Sequence, residues 1–239
     1  MKYVIEVKQL SKSYKNLIAV DKINLSVKRG TIYGLLGANG AGKTTTIECI
    51  LGIKSSDNGT VSILGHNPIK ERKYLYQKVG VQFQESNYQP EIKVFELCQE
   101  ISSLYKSPSD WKELCKQFGM NDKIKNTIKN LSGGERQRLS IILALIPNPE
   151  VVFFDELTTG LDTEARYNIW KILYQLKTKG LTIFLTSHFM DEVEMLCDEI
   201  CIMKKGKAVF YGTVKYAKQI SNCAKFEDAY ITLSREEIK

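Results

Sequence analysis

The stretch Gly37-Ala38-Asn39-Gly40-Ala41-Gly42-Lys43-Thr44 fits the spacing G-x-x-x-x-G-K-[ST]. Glycines at this spacing let successive backbone N–H groups turn inward and cradle phosphate oxygens. A helix beginning at Lys43 would present its N-terminus to the same anion. Lys43 would then reach the β- and γ-phosphates of a nucleoside triphosphate. Thr44, next to Thr45, would give its hydroxyl to Mg2+. The flanking sequence supplies the context this spacing needs: a continuous apolar strand, Thr31–Leu36, before it, and a helix from Lys43 to about Leu51, ended by Gly52, after it.

A second chemical stretch is Val151-Val152-Phe153-Phe154-Asp155-Glu156. Four apolar residues read as a fully buried strand. An acid at its end lies at the carboxyl edge of a sheet, where ligands bind in such folds. Asp155 would hold Mg2+ through water, and Glu156 would polarise an attacking water. Taken alone, the pair could equally be two solubilising carboxylates; the phosphate loop decides between them. A third stretch is Leu131-Ser132-Gly133-Gly134-Glu135-Arg136-Gln137-Arg138. Ser-Gly-Gly ahead of a helix is another anion-binding N-terminus. By itself it reads first as a plain capping loop, with Ser132 as N-cap and the glycines for a turn.

The elements that must position these groups alternate between strands and helices. Tyr3–Leu10 and Ile23–Val27 partly alternate apolar with polar residues, and Val61–Leu64 and Val79–Phe83 are further short strands. Residues from about Glu91 to Asn130 are polar and read as short helices broken at Pro90 and Pro108. They are expected to form a helical insert. Gly134–Ile146 is a helix stopped by the prolines at 147 and 149, and Thr163–Lys179 is an amphipathic helix ended by Gly180. Leu181–Thr186 is a second buried strand. Ile200–Lys204 and Lys207–Tyr211 flank Lys205-Gly206 as a hairpin. Buried strands alternating with helices predict a mostly parallel sheet covered on both sides.

Bulk properties narrow the class. The 239 residues allow a real core, and 43% hydrophobic with 26% charged residues is ordinary globular composition. No run of about 18 apolar residues occurs, so no membrane span is expected. The N-terminus lacks the apolar core of a signal peptide, which predicts a cytoplasmic protein attached to any membrane only through a partner. The net charge of +7 is scattered, as on a solvated basic surface; a face turned to anionic lipid or nucleic acid is the other reading. Cys49, Cys98, Cys115, Cys197, Cys201 and Cys223 form no C-x-x-C pair, and no histidine completes a zinc site beside Cys197 and Cys201. Reduced, mostly buried thiols are expected. His66, in LGHNP, reads as a surface turn residue.

LSGGE at 131–135 resembles the LSGGQ signature of ABC ATPases, and GANGAGKTT resembles their usual GxNGAGKTT form. The resemblance covers nearly the whole chain. It implies an α/β fold: a P-loop NTPase core with a mostly parallel sheet, an N-terminal antiparallel β-subdomain and a helical insert. Residues 1–239 would form a single ATPase domain, with 1–89 and 147–214 as core, 90–146 as the helical subdomain with the signature, and 215–239 as a short C-terminal extension.

The same resemblance assigns roles. Tyr14 matches the aromatic that stacks on adenine, with simple packing as its other reading. Gln84, closing VGVQFQ, matches the glutamine that touches Mg2+ and the attacking water and links core to insert, with Gln82 as a competing assignment. Asp162, in TTGLD, matches the D-loop, and His188, in TSHFMDEVE, matches the switch histidine that contacts the γ-phosphate. ATP would be bound by Gly37, Asn39, Gly40, Ala41, Gly42, Lys43, Thr44 and Thr45 of one chain and met by Ser132, Gly133, Gly134 and Glu135 of another. Two positions depart from the family pattern: Glu135 stands where Gln is more usual, and Leu157 follows Glu156 where Pro is usual.

Soluble relatives that act on ribosomes usually carry two ATPase units, and chromosome-structure relatives insert a long coiled coil between phosphate loop and signature. Here there is one unit, and the interval from Thr45 to Leu131 is too short for a coiled coil. A transporter subunit fits best; a soluble ABC ATPase acting on ribosomes or nucleic acid is the alternative. The stretch from Thr186 to Thr213 and the late FEDAYITL look like ABC-2-type exporter ATPases. The partners so implied are an integral membrane permease and a second ATP-binding subunit, identical or different, with no nucleic acid. The location implied is the cytoplasmic face of the membrane.

Overall fold

The computed structural model describes residues 3–83 and 88–235. Contacts divide the chain into two units, residues 1–75 with 184–239, and residues 76–183.

In the first unit, β1 (Tyr3–Tyr14) and β2 (Leu17–Lys28) form an antiparallel hairpin, and β4 (Asn58–Ile63) pairs antiparallel on the other side of β1. This is the expected N-terminal antiparallel sheet, but β1 and β2 run longer than the alternation in Tyr3–Leu10 and Ile23–Val27 indicated. Gln9 (φ 52°) and Lys22 (φ 51°) take left-handed backbone, and the pairing shifts register between Val7 and Leu10 and between Leu10 and Lys12. Each bulge adds a residue and breaks the period of two. The Gln9 bulge is tied down by its N–H, which donates to Asn24 Oδ1 at 2.9 Å.

β3 (Ile32–Gly37) is buried at every position and pairs in parallel with β8 (Glu199–Lys204). β8 returns as antiparallel β9 (Lys207–Gly212) through Lys205 (φ 47°) and Gly206 (φ 80°). Two left-handed residues are what a tight two-residue hairpin needs. α1 (Lys43–Ile50) follows β3 and ends at Gly52, whose φ is 67°. α2 (Arg72–Leu75) is a single turn. His66 lies in a turn as expected, its Nδ1 2.7 Å from Glu71 Oε1 and its ring 4.6 Å from that of Tyr74.

In the second unit, β5 (Val79–Gln82) pairs in parallel with β6 (Val151–Phe154). Short helices α3 (Val94–Ser103) and α4 (Trp111–Gln117) and two 3-10 turns occupy the stretch read as a helical insert. α5 (Gly133–Leu145) lies so close to β5 that a Cβ on Gly80 would stand 1.9 Å from the Ala144 carbonyl oxygen. α6 (Thr163–Thr178) is ended by Gly180, and the boundary between the units falls within the fully buried β7 (Thr182–Thr186).

The remaining helices belong to the first unit: α7 (Met190–Leu196), α8 (Val214–Ile220) and α9 (Phe226–Arg235). Val193, Ala217, Phe226 and Ala229 pack with Leu36, Ile200 and Ile202 in one buried cluster. Residues from 215 onward, read from sequence only as an extension, therefore supply part of a core. Strand–helix alternation with parallel pairs in each unit makes the molecule α/β with mostly parallel strands. Among the described residues no helix is long and apolar enough to cross a membrane. All six cysteines are free, four of them buried.

Candidate functional site

The loop between β3 and α1 is held by the first unit's own backbone. Ala41 N–H donates to Ala38 O at 3.0 Å, and Gly206 N–H, from the β8–β9 turn, donates to Ala41 O at 3.0 Å. Gly42 caps α1 at φ 102°, and a Cβ there would lie 2.2 Å from the Ala19 carbonyl oxygen. Glycine is thus required twice over, by conformation and by space. Gly40, at φ 79°, faces open space, and Ala38, Asn39 and Gly40 are exposed. Lys43 is buried; its Nζ donates to Gly37 O at 2.8 Å and to Ala38 O at 3.3 Å, so the ammonium is folded over the loop. Thr44 is exposed and Thr45 half-buried.

Tyr14 stands at the end of β1, half-exposed, between two ammonium groups: Lys12 Nζ and Lys54 Nζ each lie 5.6 Å from its ring centroid. Both lysines are fixed by carboxylates, Lys12 by Asp57 at 2.9 Å and Lys54 by Glu48 at 2.7 Å. Those hydrogen bonds hold both ammonium groups above the ordinary lysine value. His188 follows β7, exposed, with its ring 4.2 Å from that of Phe189.

The second unit holds the other groups. Asp155 is buried at the end of β6, and its N–H donates to Gln82 O at 3.0 Å. Gln82 is itself buried; its Nε2 donates to Phe83 O at 2.8 Å and Asp155 O at 3.3 Å, while its Oε1 has no hydrogen-bond partner among the described residues. Gln84 lies outside the described residues. Glu156 is half-buried with φ 55°, a left-handed conformation that non-glycine residues seldom adopt. The following Leu157 is fully buried.

Ser132 caps α5. Its Oγ accepts Glu135 N–H at 3.2 Å, and Glu135 Oε2 accepts Ser132 N–H at 2.8 Å. Lys123 adds an ion pair to Glu135 at 3.1 Å. Gly133 is exposed with open space around it; Gly134, second in the helix, lies beside the loop after β6, where a Cβ would stand 3.2 Å from Leu161 Cδ2. Asp162 caps α6, its Oδ1 accepting Ala165 N–H at 2.8 Å.

Tyr14, the glycine loop and His188 thus belong to the first unit, and Gln82, Asp155, Glu156, Ser132 to Glu135 and Asp162 to the second. Sequence reasoning missed Gln137, whose side chain bonds the turn after β6. It also missed Lys12 and Lys54, which frame Tyr14. The signal for Gln137 was its place two residues beyond the signature; for Lys12 it was the two-residue spacing from Tyr14 in one strand, and for Lys54, 40 residues away, there was none.

Fold and loop together define an ABC-type ATPase. The ABC transporter family profile matches residues 20–159, and the chain belongs to that family, whose ATP-binding domains hydrolyse ATP to power transport. Nod factor export ATP-binding protein I of Ralstonia nicotianae is 38% identical over 214 residues, covering 87% of this chain and 67% of that protein. The protein of the same name from Burkholderia orbicola is 36% identical over 213 residues, covering 87% and 70%. Among solved structures, an ATP-binding subunit of an ABC transporter matches with a TM-score of 0.89 at 25% identity, covering 97% of this chain and 100% of that one.

Proposed function

We propose that this chain powers export through a separate integral membrane permease, with Glu156 as the residue that activates water for ATP hydrolysis. The observation that carries the reading is the state of Glu156. It is an acid at the end of a buried strand, in a left-handed conformation, directly after a buried aspartate. Such backbone costs about 1–2 kcal/mol in a non-glycine residue. It persists where the surroundings fix it, and such places cluster at functional sites.

In this reading Tyr14 stacks on the adenine, and the N–H groups from Gly37 to Thr45 with Lys43 hold the phosphates. His188 and Gln84 meet the γ-phosphate and the attacking water. A threonine hydroxyl and a carboxylate, from Thr44 and Asp155, are hard oxygen donors of the kind Mg2+ takes, with Gln84 as a third. When bound, Mg2+ would neutralise charge on the β- and γ-phosphates. Ser132, Gly133, Gly134 and Glu135 serve the ATP of a second ATP-binding subunit, and Asp162 borders that contact. ATP would close the pair and hydrolysis would reopen it, moving the permease at the cytoplasmic face of the membrane.

Export as the direction is supported by the curated relatives, which are named for Nod factor export. Two measurements test the proposal. Glu156→Gln should retain ATP binding and lose nearly all turnover. The chain, extracted from detergent-solubilised membranes, should carry an integral membrane protein with it. Recovery of ribosomes in place of a permease would overturn the transport reading.

A further inference from the structure

We propose that Gln137 is a positioning residue for hydrolysis: its side-chain amide holds the turn after β6 so that Glu156 keeps its left-handed conformation. The proposal rests on Glu156 being the group that activates water. Gln137 lies in α5, just over one turn beyond the Ser132 cap. Its Nε2 donates to Leu157 O at 2.7 Å and, more weakly, to Glu156 O at 3.5 Å.

Three bonds inside the turn are longer. Thr159 N–H reaches Glu156 O at 3.4 Å, Leu161 N–H reaches Thr158 O at 3.3 Å, and Thr159 Oγ1 reaches Glu156 Oε2 at 3.5 Å. N–H···O bonds weaken beyond about 3.2 Å, so the short bond from Gln137 is a strong restraint on this turn. Leu157 has no ring to fix its φ, as a proline there would. Its carbonyl is instead fixed from outside, by the amide of α5. The same helix meets the turn again at Gly134, where a Cβ would stand 3.2 Å from Leu161 Cδ2. α5 therefore carries Ser132, assigned to the neighbouring ATP, at its start, and the amide that steadies this chain's own Glu156 one turn later.

A non-glycine residue in left-handed backbone relaxes when its neighbours stop holding it. The binding groups of the glycine loop are untouched by that relaxation, so the rate of the chemical step should fall while ATP affinity stays. Gln137→Glu is nearly isosteric, but an ionised carboxylate cannot donate to a carbonyl. Gln137→Ala removes the donor without adding charge.

The test measures ATPase kinetics of the full chain purified with its membrane partner, with Glu156→Gln run alongside. Both Gln137 variants should lower kcat about 10- to 100-fold, with KM for ATP within about twofold and the chain still fully folded at the assay temperature. If Glu156→Gln hydrolyses ATP normally, the role of Glu156 itself is wrong. If Glu156→Gln is inactive while both Gln137 variants keep a wild-type kcat, the positioning role is wrong. A rise in KM at constant kcat, or a loss of rate that only tracks unfolding, also overturns it.

Discussion

Ser132 and Glu135 cap each other: Glu135 N–H donates to Ser132 Oγ at 3.2 Å and Ser132 N–H donates to Glu135 Oε2 at 2.8 Å. This reciprocal box satisfies two backbone donors at the start of α5 that have no partner within the helix. The ion pair to Lys123 favours glutamate over glutamine at 135. Either side chain can accept the Ser132 N–H, but only glutamate pairs with Lys123.

That difference should be visible in acid. The Ser132 N–H, with Lys123, holds the Glu135 carboxyl below its ordinary 4.5. A group whose folded value is lowered contributes stability above its unfolded value and loses it as pH falls through the folded one. Wild type should therefore melt above Glu135→Gln at pH 7, and the gap should close as pH falls from 4.5 through the lowered folded value. Thermal melts across that range check this. A gap that persists undiminished in acid would contradict it.

The glycines of the phosphate loop should separate by space. A methyl on Gly42 would lie 2.2 Å from Ala19 O, whereas one on Gly40 meets nothing within 4 Å. Gly40→Ala carries only the left-handed cost, about 1–2 kcal/mol. Gly42→Ala must also push backbone aside and should cost more than about 3 kcal/mol. Urea unfolding measures both, and equal costs would show that the loop yields more easily than its contacts imply.

Tyr14 should act through its ring. Tyr14→Phe keeps the face that Lys12 and Lys54 frame and should bind ATP like wild type. Tyr14→Ala should weaken binding about tenfold, given that base stacking on an aromatic is worth ~1–3 kcal/mol. Calorimetric titration with a non-hydrolysable ATP analogue gives both affinities. Equal affinities for the two variants would return Tyr14 to a simple packing role.

How much of this was legible in the sequence depends on whether the signal was local. The strand, glycine turn and helix from β3 to α1, the buried run ending at Asp155 and the helix after Ser132 each appear as expected, because each is written in consecutive residues. The lengths of β1 and β2 were not legible, since the bulges at Gln9 and Lys22 put the apolar alternation out of step. α9 could have been found: Phe226, Ala229 and Leu233 recur at helical spacing and are all buried. The left-handed backbone of Glu156 has no signature in its neighbours, and the reach of Gln137 to Leu157 joins a helix to a turn about 20 residues away, a separation local patterning does not see.

The central claim, for a pair of identical chains, is that each ATP is held by Lys43 of one and met by Ser132 of the other. Complementation tests it directly. Chains carrying Ser132→Arg and chains carrying Lys43→Ala should each be inactive alone. Mixed in equal amounts, about half the pairs would be mixed and each would hold one intact site, restoring about a quarter of wild-type ATPase activity. If Ser132 instead served the ATP of its own chain, no pair would contain an intact site. A mixture as inactive as its components would contradict the account.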